Sequence, residues 1–204
     1  MRPAKLQSRP HLRVDVGGGF LLLLALVFFF DDGSFLPPLF VAVAVHEAGH
    51  IAALYAFGAR PVRLKASLSG FSLDYAGSLT GAQTALTALA GPAAGAGFAM
   101  LCALVGTKTE NGLWLICAGI GVFLTLFNLL PAFPLDGGIV AEFALSRLFS
   151  AKTARIASNV LAIAVETLLL GGGLYCLHSG DGPALFLSGV WLLVLRRDGA
   201  CNRR

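Results

Sequence analysis

The chain has 204 residues, 56% of them hydrophobic and 13% charged, with a mean hydropathy of +0.78. Soluble domains carry about 25% charged residues, so this composition cannot supply a water-facing surface, and a disordered chain needs the opposite bias. The net charge of +4 and pI near 9.1 come from basic residues lying between apolar stretches, a pattern of membrane topology and not of nucleic-acid binding.

Six apolar segments follow in order, at 16–30, 35–57, 83–105, 112–133, 154–177 and 182–195. A helix rises about 1.5 Å per residue against a hydrocarbon core of about 30 Å, so about 20 residues span it. The second to fifth segments meet that length. The first and last are short and need a thinned bilayer or snorkelling flanks. Arg2, Lys5, Arg9 and Arg13 before the first segment mimic a signal peptide, but the run ends Phe28-Phe29-Phe30-Asp31-Asp32 without a small-residue cleavage site. A retained helix is expected.

Six spans with an inner N-terminus put 14 of the 15 lysines and arginines on the inner side, leaving only Lys108 outside with Asp31, Asp32, Glu110 and Asp181. That distribution obeys the positive-inside rule, so both termini are expected in the cytoplasm. Trp114 and Tyr175 near outer helix ends and Tyr55 near an inner one fit interfacial aromatics. After the second segment, residues 62–68 and 71–75 alternate apolar and polar around Ser69-Gly70, which predicts a β-hairpin on the inner side. The expected architecture is an all-α membrane protein of six transmembrane helices with a membrane-associated hairpin, one domain over 1–204.

The second segment contains His46-Glu47-Ala48-Gly49-His50. Residues four apart share a helical face, so His46 and His50 can hold one metal, with Glu47 placed to act as general base. In a soluble helix such a cluster can be chance. In lipid, each ionisable group costs at least a few kcal/mol unless paired or metallated.

A catalytic zinc site needs a third protein ligand and leaves one position open. The best candidate lies in Asn128-Leu129-Leu130-Pro131-Ala132-Phe133-Pro134-Leu135-Asp136-Gly137-Gly138, where Asp136 is the only ionisable group. Two prolines break the helix and two glycines permit a sharp turn. Run straight from Gly112, the 24 residues to Asp136 would cover about 36 Å and overshoot the histidines. The break is expected to bring Asp136 back toward His50. The bland alternative is a helix terminus with Asp136 in cytoplasmic water.

Other residues carry milder expectations. Glu166, mid-way along the fifth segment, lines a water path or pairs with Asn159 or a hydroxyl. Gly91, Gly95 and Gly97 allow close helix packing. His11 and His178 are loop histidines without a partner motif. Cys102, Cys117, Cys176 and Cys201 form no CxxC pair, so neither a thiolate cluster nor a disulfide framework is expected.

HEAGH, AGPAAG at Ala90–Gly95 and NLLPAFPLDGG together resemble the site-2 protease family, zinc metalloproteases that cut within membranes. Length, span count and DGG look most similar to the stage IV sporulation protein FB branch, which processes a pro-sigma factor. The resemblance covers about residues 40 to 150. It implies His46, His50 and Asp136 as Zn2+ ligands, Glu47 as catalytic base and Asn128 as a substrate-holding residue. It also implies a transmembrane or membrane-associated protein substrate and a bacterial cell membrane. Gly95 departs from the family, many of whose members carry asparagine there. The loop from Gly106 to Asn111 is too short for a PDZ domain, and no regulatory CBS domain is expected. A metal transporter using the His-Glu-His cluster as a transit site is the rival reading, and a catalytically silent scaffold the second.

Overall fold

The computed structural model describes residues 13–31, 33–67, 70–180 and 182–202. Seven helices and three strands appear among them. Strand β1, Arg13–Val16, leads into the apolar helix α1, Gly18–Phe30, and then α2, Leu36–Ala56. Asp31 starts α2: its two carboxylate oxygens accept from the Phe35 and Leu36 N–H groups, each at 3.1 Å, and a proline follows in the first turn. Such a cap satisfies orphan donors and places negative charge at the positive helix end.

Strands β2, Arg60–Ser67, and β3, Gly70–Ala76, form the predicted antiparallel hairpin. The sheet has a third member, because β1 pairs parallel with β2. Sheet order is β1-β2-β3, which makes β2 the centre and β3 an edge among the described residues. Period-two alternation foretold the hairpin; a four-residue strand in the N-terminal tail is too short to announce itself. Ser69 of the expected turn and His11 lie outside the described residues.

Helix α3, Gly81–Thr109, opens on a capping box between Thr80 and Gln83 and ends at Glu110. Helix α4, Gly112–Asn128, is capped by Asn111. It stops before Pro131, which has no N–H with which to continue the helical ladder. After a turn, α5, Asp136–Leu148, runs to α6, Ala151–Ser179, and α7, Ala184–Asn202, completes the chain. His178, expected in a loop, lies in the last turn of α6.

Helices α2, α3 and α4 pack together; α5 joins α3 to α6, and α7 lies along α6. Ala132, Leu135, Ala162 and Leu192 close one core where the turn after α4 meets α6 and α7. Cys102 and Cys117 join Ala118 in a second, as free thiols packed like small hydrophobes.

Among the described residues, three helices are long and apolar enough to cross a membrane: α2, α3 and α6. The expected count of six is not supported on helix length. Pro131 cuts the fourth segment to 17 helical residues, α1 has 13, and the apolar part of α7 covers only Ala184–Arg196. Glu166 is 3% exposed and, among the described residues, pairs with Arg196 on α7, whose Nε lies 2.9 Å from its Oε1, and not with Asn159. The approach is an ion pair without hydrogen-bond alignment. Gly91 and Gly95 sit at close approaches as expected, whereas a Cβ on Gly97 would meet nothing within 4 Å.

Candidate metal centre

His46 and His50 lie one turn apart on α2, with Nε2 atoms 3.2 Å from each other. Asp136, the first residue of α5, brings Oδ2 to 3.1 Å from His46 Nε2 and 3.4 Å from His50 Nε2. Two glycine contacts permit this convergence on the α2 side. A Cβ on Gly49 would collide with the Ala90 carbonyl, and one on Gly91 with the His50 ring. α2 and α3 therefore touch at backbone distance, and the imidazole occupies the space a side chain at 91 would fill.

The turn after α4 works differently from the sequence expectation. Gly137 and Gly138 make no turn; they are the second and third residues of α5. A Cβ on Gly137 would strike the Leu129 carbonyl, and one on Gly138 would stand 2.6 Å from the Ala132 carbonyl carbon. The glycines let α5 start directly against the end of α4. Leu135 N–H bonds to the Ala132 carbonyl at 2.9 Å, and Gly138 N–H to the Leu135 carbonyl at 3.0 Å, which holds Asp136 at the helix start facing α2.

Three nitrogen or oxygen donors at about 2.1 Å from a tetrahedral centre stand about 3.4 Å apart. The observed separations, 3.1 to 3.4 Å, fit that spacing. The protonation pattern fits as well. His50 Nδ1 lies 2.8 Å from the Thr87 carbonyl, which only accepts, so Nδ1 carries the proton. In the neutral ring Nε2 then presents a lone pair, facing a second imidazole nitrogen and a carboxylate oxygen. Lone pairs converging at such distances repel unless a proton or a metal cation lies between them. Asp136 Oδ2 is buried without a hydrogen-bond partner among the described residues. This donor set is suited to zinc, which takes nitrogen and oxygen ligands and keeps one position open in catalytic sites.

A cavity of about 730 Å³ adjoins the three donors. Glu47 reaches it from α2, Asn128 from the end of α4, and Phe71, Ser72, Leu73 and Tyr75 from the edge strand β3. Asn128 Nδ2 donates to the Leu124 carbonyl at 2.9 Å, which turns its oxygen side to other partners. The structure thus brings His46, Glu47, His50, Asn128 and Asp136 to one place. Sequence reading missed the Thr87 carbonyl, for which no residue-type signal exists, and Trp191 and Leu195 of α7, which also border the cavity. Trp191 stands 5.9 Å from the Phe127 ring, and a tryptophan inside an apolar run carries no signal beyond span composition.

Comparison with known proteins bears on the fold and on the second half of the chain. A family model described as Peptidase family M50 matches residues 108–171, which include the Asn128–Asp136 segment and α6 residues. No curated protein sequence matches the chain. Among solved structures, the Site-2 Protease from Methanocaldococcus jannaschii superposes with a TM-score of 0.64 at 20% identity, over 92% of this chain and 90% of that one. The chain has the site-2 protease fold. Its three long apolar helices suit a membrane protein of that fold.

Proposed function

We infer that the chain is a zinc-dependent intramembrane endopeptidase of the site-2 type, with His46, His50 and Asp136 as ligands and Glu47 as general base. The observation that carries this reading is the convergence of those three donors beside a cavity that Glu47, Asn128 and an open strand edge share. Zinc bound there would supply Lewis-acid polarisation of the scissile carbonyl and activation of the attacking water. Glu47 would accept the proton of that water and return it to the leaving amine. Asn128 would hold substrate backbone or the developing oxyanion. A transmembrane helix hides its carbonyls, so the substrate must unwind locally; the free edge of β3 offers main-chain hydrogen bonds to the unwound stretch.

The substrate is a membrane-embedded or membrane-associated protein, and processing of a pro-sigma factor in sporulation is the specific version that the sequence resemblance suggests. The chain would cross a bacterial cell membrane six times with both termini in the cytoplasm. Supporting this are the basic residues between the apolar segments and the apolar α1, α4 and α7 beside the three long helices.

The test is membrane proteomics of cells carrying wild type or Glu47→Gln. Glu47→Gln should retain zinc and accumulate a full-length precursor that the wild type removes. Cleavage at the wild-type rate would discard the assigned base. Metal flux in proteoliposomes without any cleavage would favour a transporter instead.

A further inference from the structure

The two histidines are held unequally. His50 donates its Nδ1 proton to the Thr87 carbonyl. His46 has the same requirement: with Nε2 turned toward the other donors, its neutral ring carries the proton on Nδ1. A metal-ligating histidine ordinarily gives that second N–H to a carboxylate, a carbonyl or water, which fixes tautomer and ring orientation. Yet His46 is 4% exposed, and its Nδ1 has no hydrogen-bond partner among the described residues.

Thr125, in the last turn of α4, is the matching group. It is 8% exposed, and its hydroxyl is also without a partner among the described residues. Thr84, Thr107, Thr109 and Thr167 each donate to the carbonyl four residues back, the ordinary arrangement for a threonine inside a helix. Thr125 does not. Both orphan atoms border one spot: a Cβ built on Gly95 would stand 2.8 Å from Thr125 Oγ1 and 3.8 Å from His46 Nδ1. Gly95 is buried as well, so this spot between α2, α3 and α4 is shut off from lipid. The absence of a side chain at 95 leaves it to the two polar groups.

We propose that the Thr125 hydroxyl is the outer partner of His46. It accepts the Nδ1 proton through one bridging water, since the two atoms make no direct hydrogen bond, and so presents Nε2 to the metal. Thr125 is a positioning residue acting through His46, the counterpart of the Thr87 carbonyl behind His50. Gly95 is the residue that makes room for it. The assignment rests on the reading of His46, His50 and Asp136 as a zinc site.

The experiment is zinc competition against a chromophoric chelator, using the full chain in detergent. Thr125→Val keeps the shape and removes the hydroxyl; it should lower zinc affinity about 10- to 100-fold, the usual effect of losing an outer-shell partner. Thr125→Ser should bind zinc nearly as the wild type does. The unfolding temperature of the metal-free protein should change little in either. If Thr125→Val does not fold, Thr125→Ala removes the same hydroxyl without a new methyl contact and gives the same reading. Undiminished affinity without the hydroxyl, or an equal loss in Thr125→Ser, would overturn the assignment while leaving the zinc site intact. Failure of the wild-type chain to bind zinc would remove both.

Discussion

Hydrogen is the only substituent the helix interface accepts at position 91, because the His50 ring lies where a Cβ would go. Gly91→Ala should therefore displace the imidazole rather than merely loosen α2 against α3. Its zinc content should fall while the helical signal of the detergent-solubilised protein persists. A variant with full zinc occupancy would show that the ring has another place to sit. The third donor can be tested just as locally. Asp136→Ala should lose zinc, since two neutral imidazoles hold it weakly, whereas Glu142→Ala, six residues further along α5, should keep it. Metal analysis of the two purified variants decides, and the opposite ranking would move the ligand away from the start of α5. At this scale the sequence was highly legible. His46 and His50 were paired by helical spacing alone, and Asp136 by being the only ionisable group at a helix break. Thr125 and the Thr87 carbonyl were not legible, because hydroxyls and backbone groups act by position and leave no composition signal.

Among the elements, β3 and the α6–α7 pair carry sharp expectations. With β2 central, Leu64 is committed on both sides, and Leu73 on β3 lies on the free edge. Ser67 pairs with Gly70 across the hairpin end; the closing pair of a tight hairpin exchanges both hydrogen bonds, so alternation turns the Leu73 N–H outward. Leu73→Pro removes that donor without breaking the β2–β3 ladder. It should weaken substrate cleavage while zinc content and thermal stability hold. Stability and activity lost together would mean that the strand only fills space, and unaltered cleavage would sink strand addition.

The ion pair between α6 and α7 predicts an asymmetry. Glu166 has a side chain 4% exposed, against 33% for Arg196. Arg196→Ala strands a buried carboxylate and should cost about 3–5 kcal/mol, while Glu166→Ala leaves a cation that is one-third exposed and should cost less. Replacing both by leucine should restore much of the loss. Thermal unfolding in detergent ranks the three, and equal losses in the two single variants would contradict this account. The hairpin was legible from its alternation, but α5 was not. Its opening Asp136-Gly137-Gly138 has the look of a turn, and only the approach of α5 to the Leu129 and Ala132 backbone explains why glycines stand there.

For the molecule as a whole, the outward faces argue for lipid. Leu22, Phe28, Phe29, Leu168 and Tyr175 are each 71% exposed or more, and patches of that kind are not left facing water. Hydropathy found every helix that carries them. What it could not determine is how many of those helices are long enough to cross, because a proline or a capping residue changes helical length without changing composition.

Strand pairing bears on that count in a way that hydropathy does not. β1 precedes α1 and β2 follows α2, yet the two strands lie side by side from Arg13↔Arg63 to Val16↔Ala66. Whatever route the chain takes between Val16 and Arg60, it departs from and returns to one face, so its number of crossings has even parity. If the 21-residue α2 crosses, the 13-residue α1 must supply the other passage despite its length. The link before α2 then lies on the far side. A membrane-impermeant maleimide should accordingly reach Ser34→Cys from the side opposite to Ser78→Cys, and labelling of both from one side would mean that neither helix crosses.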